Sequence, residues 1–176
     1  MARVRNRQAG FTLIEIMFVV VIIAVLAVIA IPQFMSDGRK TKSRSEVVAF
    51  FAELSTRQEQ YRVDATGYLT TAKCPAATST TGTTVDCTAA GKPWVGLNVK
   101  VPLATATCTY VMTASAGAGT VNVSAGTPAT TYTFTSPTGP WYHIVAECDQ
   151  DGDGTTSTFF TSSVDPTIKT SVREDE

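Results

Sequence analysis

Hydrophobic residues recur along this chain in three ways, one after another. From Ile16 to Ile31 they run unbroken as IMFVVVIIAVLAVIAI. With Phe11–Glu15 added, the run is about twenty residues, or roughly 30 Å as a helix, which matches a bilayer core. Val19, Val20, Val21, Ile22 and Ile23 are β-branched and weak helix formers. In lipid, however, every backbone polar group must pair within its own segment, and that favours helix regardless. After Pro32 the pattern turns amphipathic. Val47, Phe50, Phe51, Leu54 and Tyr61 fall at helical spacing, while Glu46, Glu53, Arg57 and Arg62 are placed to face water. Glu53 and Arg57 form a favourable i, i+4 pair. One nearly continuous helix is predicted from about Phe11 to Val63, kinked at Pro32, whose ring removes a donor and crowds the preceding turn. Asp64–Gly67 ends it, with Gly67 as the exit residue.

Beyond Gly67 the period shifts toward two. Trp94–Val101, Cys108–Thr113, Thr120–Ser124, Thr131–Ser136, Trp141–Cys148 and Thr155–Ser162 are short β-branched or aromatic runs separated by Gly, Pro, Ser and Thr. They predict an antiparallel sheet of about four to six strands, one face packed on the helix stripe and the other in water. Trp94, Trp141 and Tyr142 read as core aromatics between sheet and helix, and His143 as a packing or surface residue. Ala76–Gly91 is a loop of small residues. The fold class is therefore α+β: a long N-terminal helix, transmembrane and then amphipathic, packed on a C-terminal antiparallel sheet. The chain divides into a leader (1–10), a membrane-spanning helix (11–31), an amphipathic helix (32–63) and a β-rich head (64–176).

Charge narrows the functional classes. Lys and Arg number 14 against 15 Asp and Glu, a net charge of −1. Arg3, Arg5 and Arg7 all precede the apolar run, so the rest of the chain is acidic. That disfavours a nucleic-acid-binding domain, which is normally basic, and no direct nucleic-acid site is predicted. Arg39, Lys40, Lys42 and Arg44 follow the span and rival the leading arginines, so charge bias does not set its orientation. The outward placement of the C-terminal part rests on cysteines and polar composition instead. Cys74, Cys87, Cys108 and Cys148 include no C-x-x-C pair, and His143 is the one histidine, so a zinc site of ordinary spacing is not expected. An even count in an exported domain reads as two disulfides with three possible connectivities. Local pairing of Cys74 with Cys87 is favoured, which leaves Cys108 with Cys148.

Two features remain. Gly10 stands before the apolar run, behind a basic leader, which inverts the order of an ordinary secretory signal. Glu15 then places a carboxylate inside the span, where burial of a charge is costly. Gly10-Phe11-Thr12-Leu13-Ile14-Glu15, with the apolar helix and Pro32 behind it, resembles the signal of type IV pilins and pseudopilins. A looser likeness continues through Gln58-Glu-Gln-Tyr61 and Gly67-Tyr68. The resemblance implies that a prepilin peptidase cuts between Gly10 and Phe11 and methylates the new amine of Phe11. It implies assembly with identical or related subunits into a helical polymer, with Glu15 meeting the Phe11 amine of a neighbour and Pro32 letting the helix loosen on packing. Such a chain waits in the bacterial inner membrane, then moves through an assembly machinery into an extracellular pilus or a periplasmic pseudopilus. It is a structural subunit without enzymatic activity, and its fibre serves motility, adhesion or DNA uptake. A minor pilin and a type II secretion pseudopilin are the near alternatives. A membrane-anchored periplasmic enzyme or binding domain is the alternative of another class, for which one His and scattered acids provide no catalytic constellation.

The loop Asp149-Gln-Asp151-Gly-Asp153-Gly154 carries acids at positions one, three and five and Gly at six, the first half of an EF-hand calcium loop. The twelfth position is Phe160, where that motif needs a bidentate Glu. Thr155 could offer a carbonyl, and Asp165 could approach from elsewhere. The competing reading is a polar turn that holds no ion. No cofactor is expected other than calcium at this loop.

Overall fold

The computed structural model describes residues 11–171. It contains one long helix, α1 (Leu13–Asp64), a 3-10 turn (Val95–Leu97) and nine strands. These are β1 (Thr71–Cys74), β2 (Thr83–Thr84), β3 (Thr105–Ala106), β4 (Cys108–Ala116), β5 (Gly119–Ala125), β6 (Thr130–Ser136), β7 (Pro140–Cys148), β8 (Ser157–Ser162) and β9 (Lys169–Ser171). Two compact units divide the chain, one up to Asp37 and one from Gly38 onward.

The first unit holds the apolar part of α1. Leu13–Ile31 is long and apolar enough to cross a membrane, by length and composition. Its large side chains are exposed, from Phe11 and Leu13 to Ile29 and Ile31. Among the described residues of its unit the apolar face therefore has no partner, and water is an unfavourable surrounding for it.

In the second unit, the stripe read from the sequence becomes the core contact. Val47, Phe50, Phe51 and Leu54 are buried against Tyr110, Met112 and Ile144. Burial of each such side chain contributes about 1.5–3 kcal/mol. The Phe50 ring stacks on Tyr110 with centroids 4.5 Å apart, and Trp94 leans on both. The main sheet runs β1-β4-β7-β8-β9, antiparallel throughout.

The structure corrects four expectations. First, Trp94–Val101 is not a strand. Pro93 and Gly96 break extended pairing, and the chain turns through Val95–Leu97 to Asn98 in the left-handed region (φ 48°). Trp94, Leu97 and Val99 reach the core from this turn. Second, the far face of the main sheet is not in water. The β5–β6 hairpin covers it, and Tyr132, Phe134, Trp141, Val145 and Phe160 form a second core there. Every residue of β8 is buried as a result. Third, Trp141 belongs to this second core, away from the helix. Its neighbour on the strand, Tyr142, points to the opposite face, as period-two alternation requires.

Fourth, Glu46 does not face water; it is 4% exposed. Its carboxylate accepts the Thr107 N–H, the Thr107 hydroxyl at 2.7 Å, the Cys108 N–H at 2.9 Å and the Tyr110 hydroxyl at 3.0 Å. A buried charge is tolerable only when hydrogen bonds replace its water, and here the start of β4 supplies them. Burial, together with the adjoining Glu46 carboxylate, pushes the Tyr110 phenol far up. Farther along α1, the buried Gln58 amide closes a two-way pair with Leu69. It donates to the Leu69 carbonyl at 2.6 Å and accepts the Leu69 N–H at 2.9 Å. Glu46 and Gln58 thus fix the head to the helix at two levels.

Disulfides join Cys74 to Cys87 and Cys108 to Cys148. The second staples directly opposed residues of β4 and β7. Lys73 pairs with Glu147 beside it, and the Gly126 N–H also donates to Glu147 at 2.9 Å. Burial pushes the Glu147 carboxyl up, but Lys73 and Gly126 outweigh it and hold it below its ordinary value.

Candidate functional site

The N-terminal segment is built by a helix cap. Thr12 precedes the first helical residue, and its hydroxyl accepts the Glu15 N–H at 3.3 Å, while its carbonyl accepts the Glu15 and Ile16 N–H groups at 3.1 and 3.3 Å. Thr12-Leu13-Ile14-Glu15 therefore has the spacing of a capping box. Glu15 lies in the first turn of α1, where unpaired N–H groups favour an acid by about 0.3–1 kcal/mol. Position alone thus offsets part of its cost in a single subunit, a local contribution that sequence reading overlooked although the T-x-x-E pattern carried it. Among the described residues no side chain pairs with the Glu15 carboxylate, which is exposed. Phe11 is 77% exposed. Gly10 and the leader lie outside the described residues. Pro32 lies within α1, which continues to Asp64.

The acidic loop joins β7 to β8. Asp149, Asp151 and Asp153 come together, with one carboxylate oxygen of each within 4.8 Å of the others. Asp149 is half-buried and accepts the Gly152 N–H at 2.7 Å and the Gly154 N–H at 3.2 Å. Asp153 accepts the Thr155 N–H at 2.6 Å. Gly152 and Gly154 have φ of 81° and 86°, where a side chain would strain the turn. Gln150, between the acids, points inward. With its amide nitrogen toward the Arg39 carbonyl (3.0 Å) and its oxygen toward the Ser43 N–H (3.2 Å), it pins the loop to α1.

Phe160 and Asp165 are both engaged elsewhere. Phe160 is fully buried in β8 opposite Val145. Asp165 is occupied by the Thr167 N–H and the Lys169 ammonium, each at 3.1 Å. What is assembled is a three-carboxylate cluster with hard oxygen donors, which suits a hydrated divalent cation better than a full EF-hand cage.

His143 sits in the second core, within 6.2 Å of the Phe134, Trp141 and Phe160 rings. Burial lowers its pKa to about 4. Among the described residues its Nδ1 has no hydrogen-bond partner.

Residues 5–31 match the family described as Prokaryotic N-terminal methylation motif. The chain is 42% identical over 66 residues to Type II secretion system core protein G of Klebsiella pneumoniae, covering 38% of this chain and 46% of that protein. It is 40% identical over 70 residues to the protein of the same name from Pseudomonas aeruginosa, with the same two shares covered. Over 64 residues it is 39% identical to Type IV wide pilus major component PilA4 of Thermus thermophilus, covering 36% of this chain and 47% of that one. The chain thus spans about half the length of the relatives it matches. No solved structure matches. The chain carries the N-terminal methylation motif of prepilins and, in its N-terminal part, is homologous to pseudopilins and type IV pilins.

Proposed function

We propose that this chain is a structural subunit of a type IV pilus filament, cut between Gly10 and Phe11, methylated on Phe11 and polymerised through α1. The observation that carries the reading is the unpartnered apolar helix with Glu15 in its first turn. Such a helix needs lipid before assembly and other helices afterwards. A carboxylate inside a dry bundle needs a cation, and the Phe11 amine of a correctly staggered neighbour supplies one. Glu15 then sets register more than it adds stability. The head acts as the fibre's outer surface. Glu15→Val should leave cleavage intact and abolish filaments; abundant normal filaments from this variant would end the proposal.

A pseudopilus subunit of a type II secretion system is the second reading, favoured by the similarity to core protein G. In either setting we propose that the Asp149, Asp151 and Asp153 cluster takes calcium, because three close carboxylates repel one another until a cation neutralises them.

A further inference from the structure

Between Lys100 and Glu147 the chain contains no Asp, Glu, Lys or Arg. The β5–β6 hairpin lies inside that stretch. Its outward face is exposed and wholly uncharged: Thr120 faces Thr135, Asn122 faces Thr133, and Ser124 faces Thr131. The Thr133 hydroxyl donates to the Asn122 side-chain Oδ1 at 2.7 Å, and the Ser124 and Thr131 hydroxyls lie 3.2 Å apart. On the inward face the two strands differ. Tyr132 and Phe134 of β6 are buried, but Val123 and Val121, their partners on β5, are only half-buried.

Among the described residues β5 bonds to β6 alone, so its other side is an open edge. Natural edges are normally guarded by charge, proline, a bulge or brevity. Residues Gly119–Ala125 have no charge and no proline, and they keep an unbroken register with β6.

We propose that this edge docks a second copy of the chain, β5 against β5, antiparallel, so that two hairpins join as one four-stranded sheet. A two-fold contact brings identical patches together, and any charged patch then meets its own sign. The hairpin face is free of that repulsion. Its open N–H and C=O groups gain partners, and Val121 and Val123 gain cover. This contact is separate from the N-terminal helix and does not depend on polymerisation through it.

The test uses the full chain in detergent micelles, followed by sedimentation and by hydrogen exchange. Wild type should dimerise at low and high salt alike. Its β5 amides should slow as concentration rises. Asn122→Lys combined with Ser124→Lys should weaken the dimer by roughly tenfold or more, with a melting temperature equal to wild type at dilutions where both are monomeric, while Ala90→Lys on an exposed loop leaves the dimer intact. Any association through α1 is the same in both proteins. A monomeric wild type, β5 amides indifferent to concentration, or a double variant that pairs as wild type does would each overturn the proposal.

Discussion

Both carboxylate oxygens of Glu46, on the helix, accept the backbone N–H of Thr107, at 3.0 and 2.9 Å, where the chain enters β4. This contact ties the head to α1 across a separation of sixty-one residues. Glu46→Ala leaves those N–H groups and the Tyr110 hydroxyl buried without an acceptor. It should cost on the order of 3 kcal/mol in urea unfolding. Glu53→Ala, which removes a partly exposed pair with Arg57, should cost clearly less.

His143 predicts an acid-sensitive head. Its folded pKa lies near 4 against an ordinary 6.5 because burial disfavours the charged ring. The unfolded chain therefore binds the proton first as pH falls. The associated stability is fully present above about pH 6.5 and is lost on the way to pH 4, at most about 3 kcal/mol. Glu53 and Glu147, both held below their ordinary 4.5, add their loss only below that pH. Melting temperatures between pH 7 and 5 should fall in wild type and stay nearly flat in His143→Phe.

The two disulfides should differ in weight. Cys108–Cys148 spans 40 residues and Cys74–Cys87 spans 13. Loop-closure entropy assigns them about 4 and about 3 kcal/mol. Paired Ala substitutions at 108 and 148 should therefore lower the unfolding free energy more than those at 74 and 87.

Calcium at millimolar concentration should raise the melting temperature, and Asp151→Asn with Asp153→Asn should remove the rise. No shift in wild type would leave the loop as a turn held by its own N–H groups.

What the sequence reveals here follows the range of the forces involved. The span and the stripe through Val47, Phe50 and Leu54 are periodic, so they are legible by inspection. The strands from Cys108 to Ser162 are equally legible, because alternation and turn residues are local signals. Glu46 was misread because a carboxylate beside an apolar stripe normally faces water, and its donors lie on a strand far along the chain. The second core was missed for a related reason. Alternating Thr and Tyr or Phe in Thr130–Ser136 shows that one face is apolar, but not that this face lies on the back of the main sheet. Trp94–Val101 has strand-like residues, yet Pro93, Gly96 and the core's demand for the Trp94 ring override them. At the N-terminus the motif identifies the segment, while the Thr12 cap adds a local contribution to Glu15.

Cleavage before Phe11 and incorporation into a filament are the proposed fate of the chain. Mass spectrometry of the subunit from sheared or purified filaments tests it most directly. The expected subunit begins at Phe11 and carries one methyl group on its terminal amine. A chain still bearing residues 1–10, confined to the membrane fraction and absent from any filament, would contradict it.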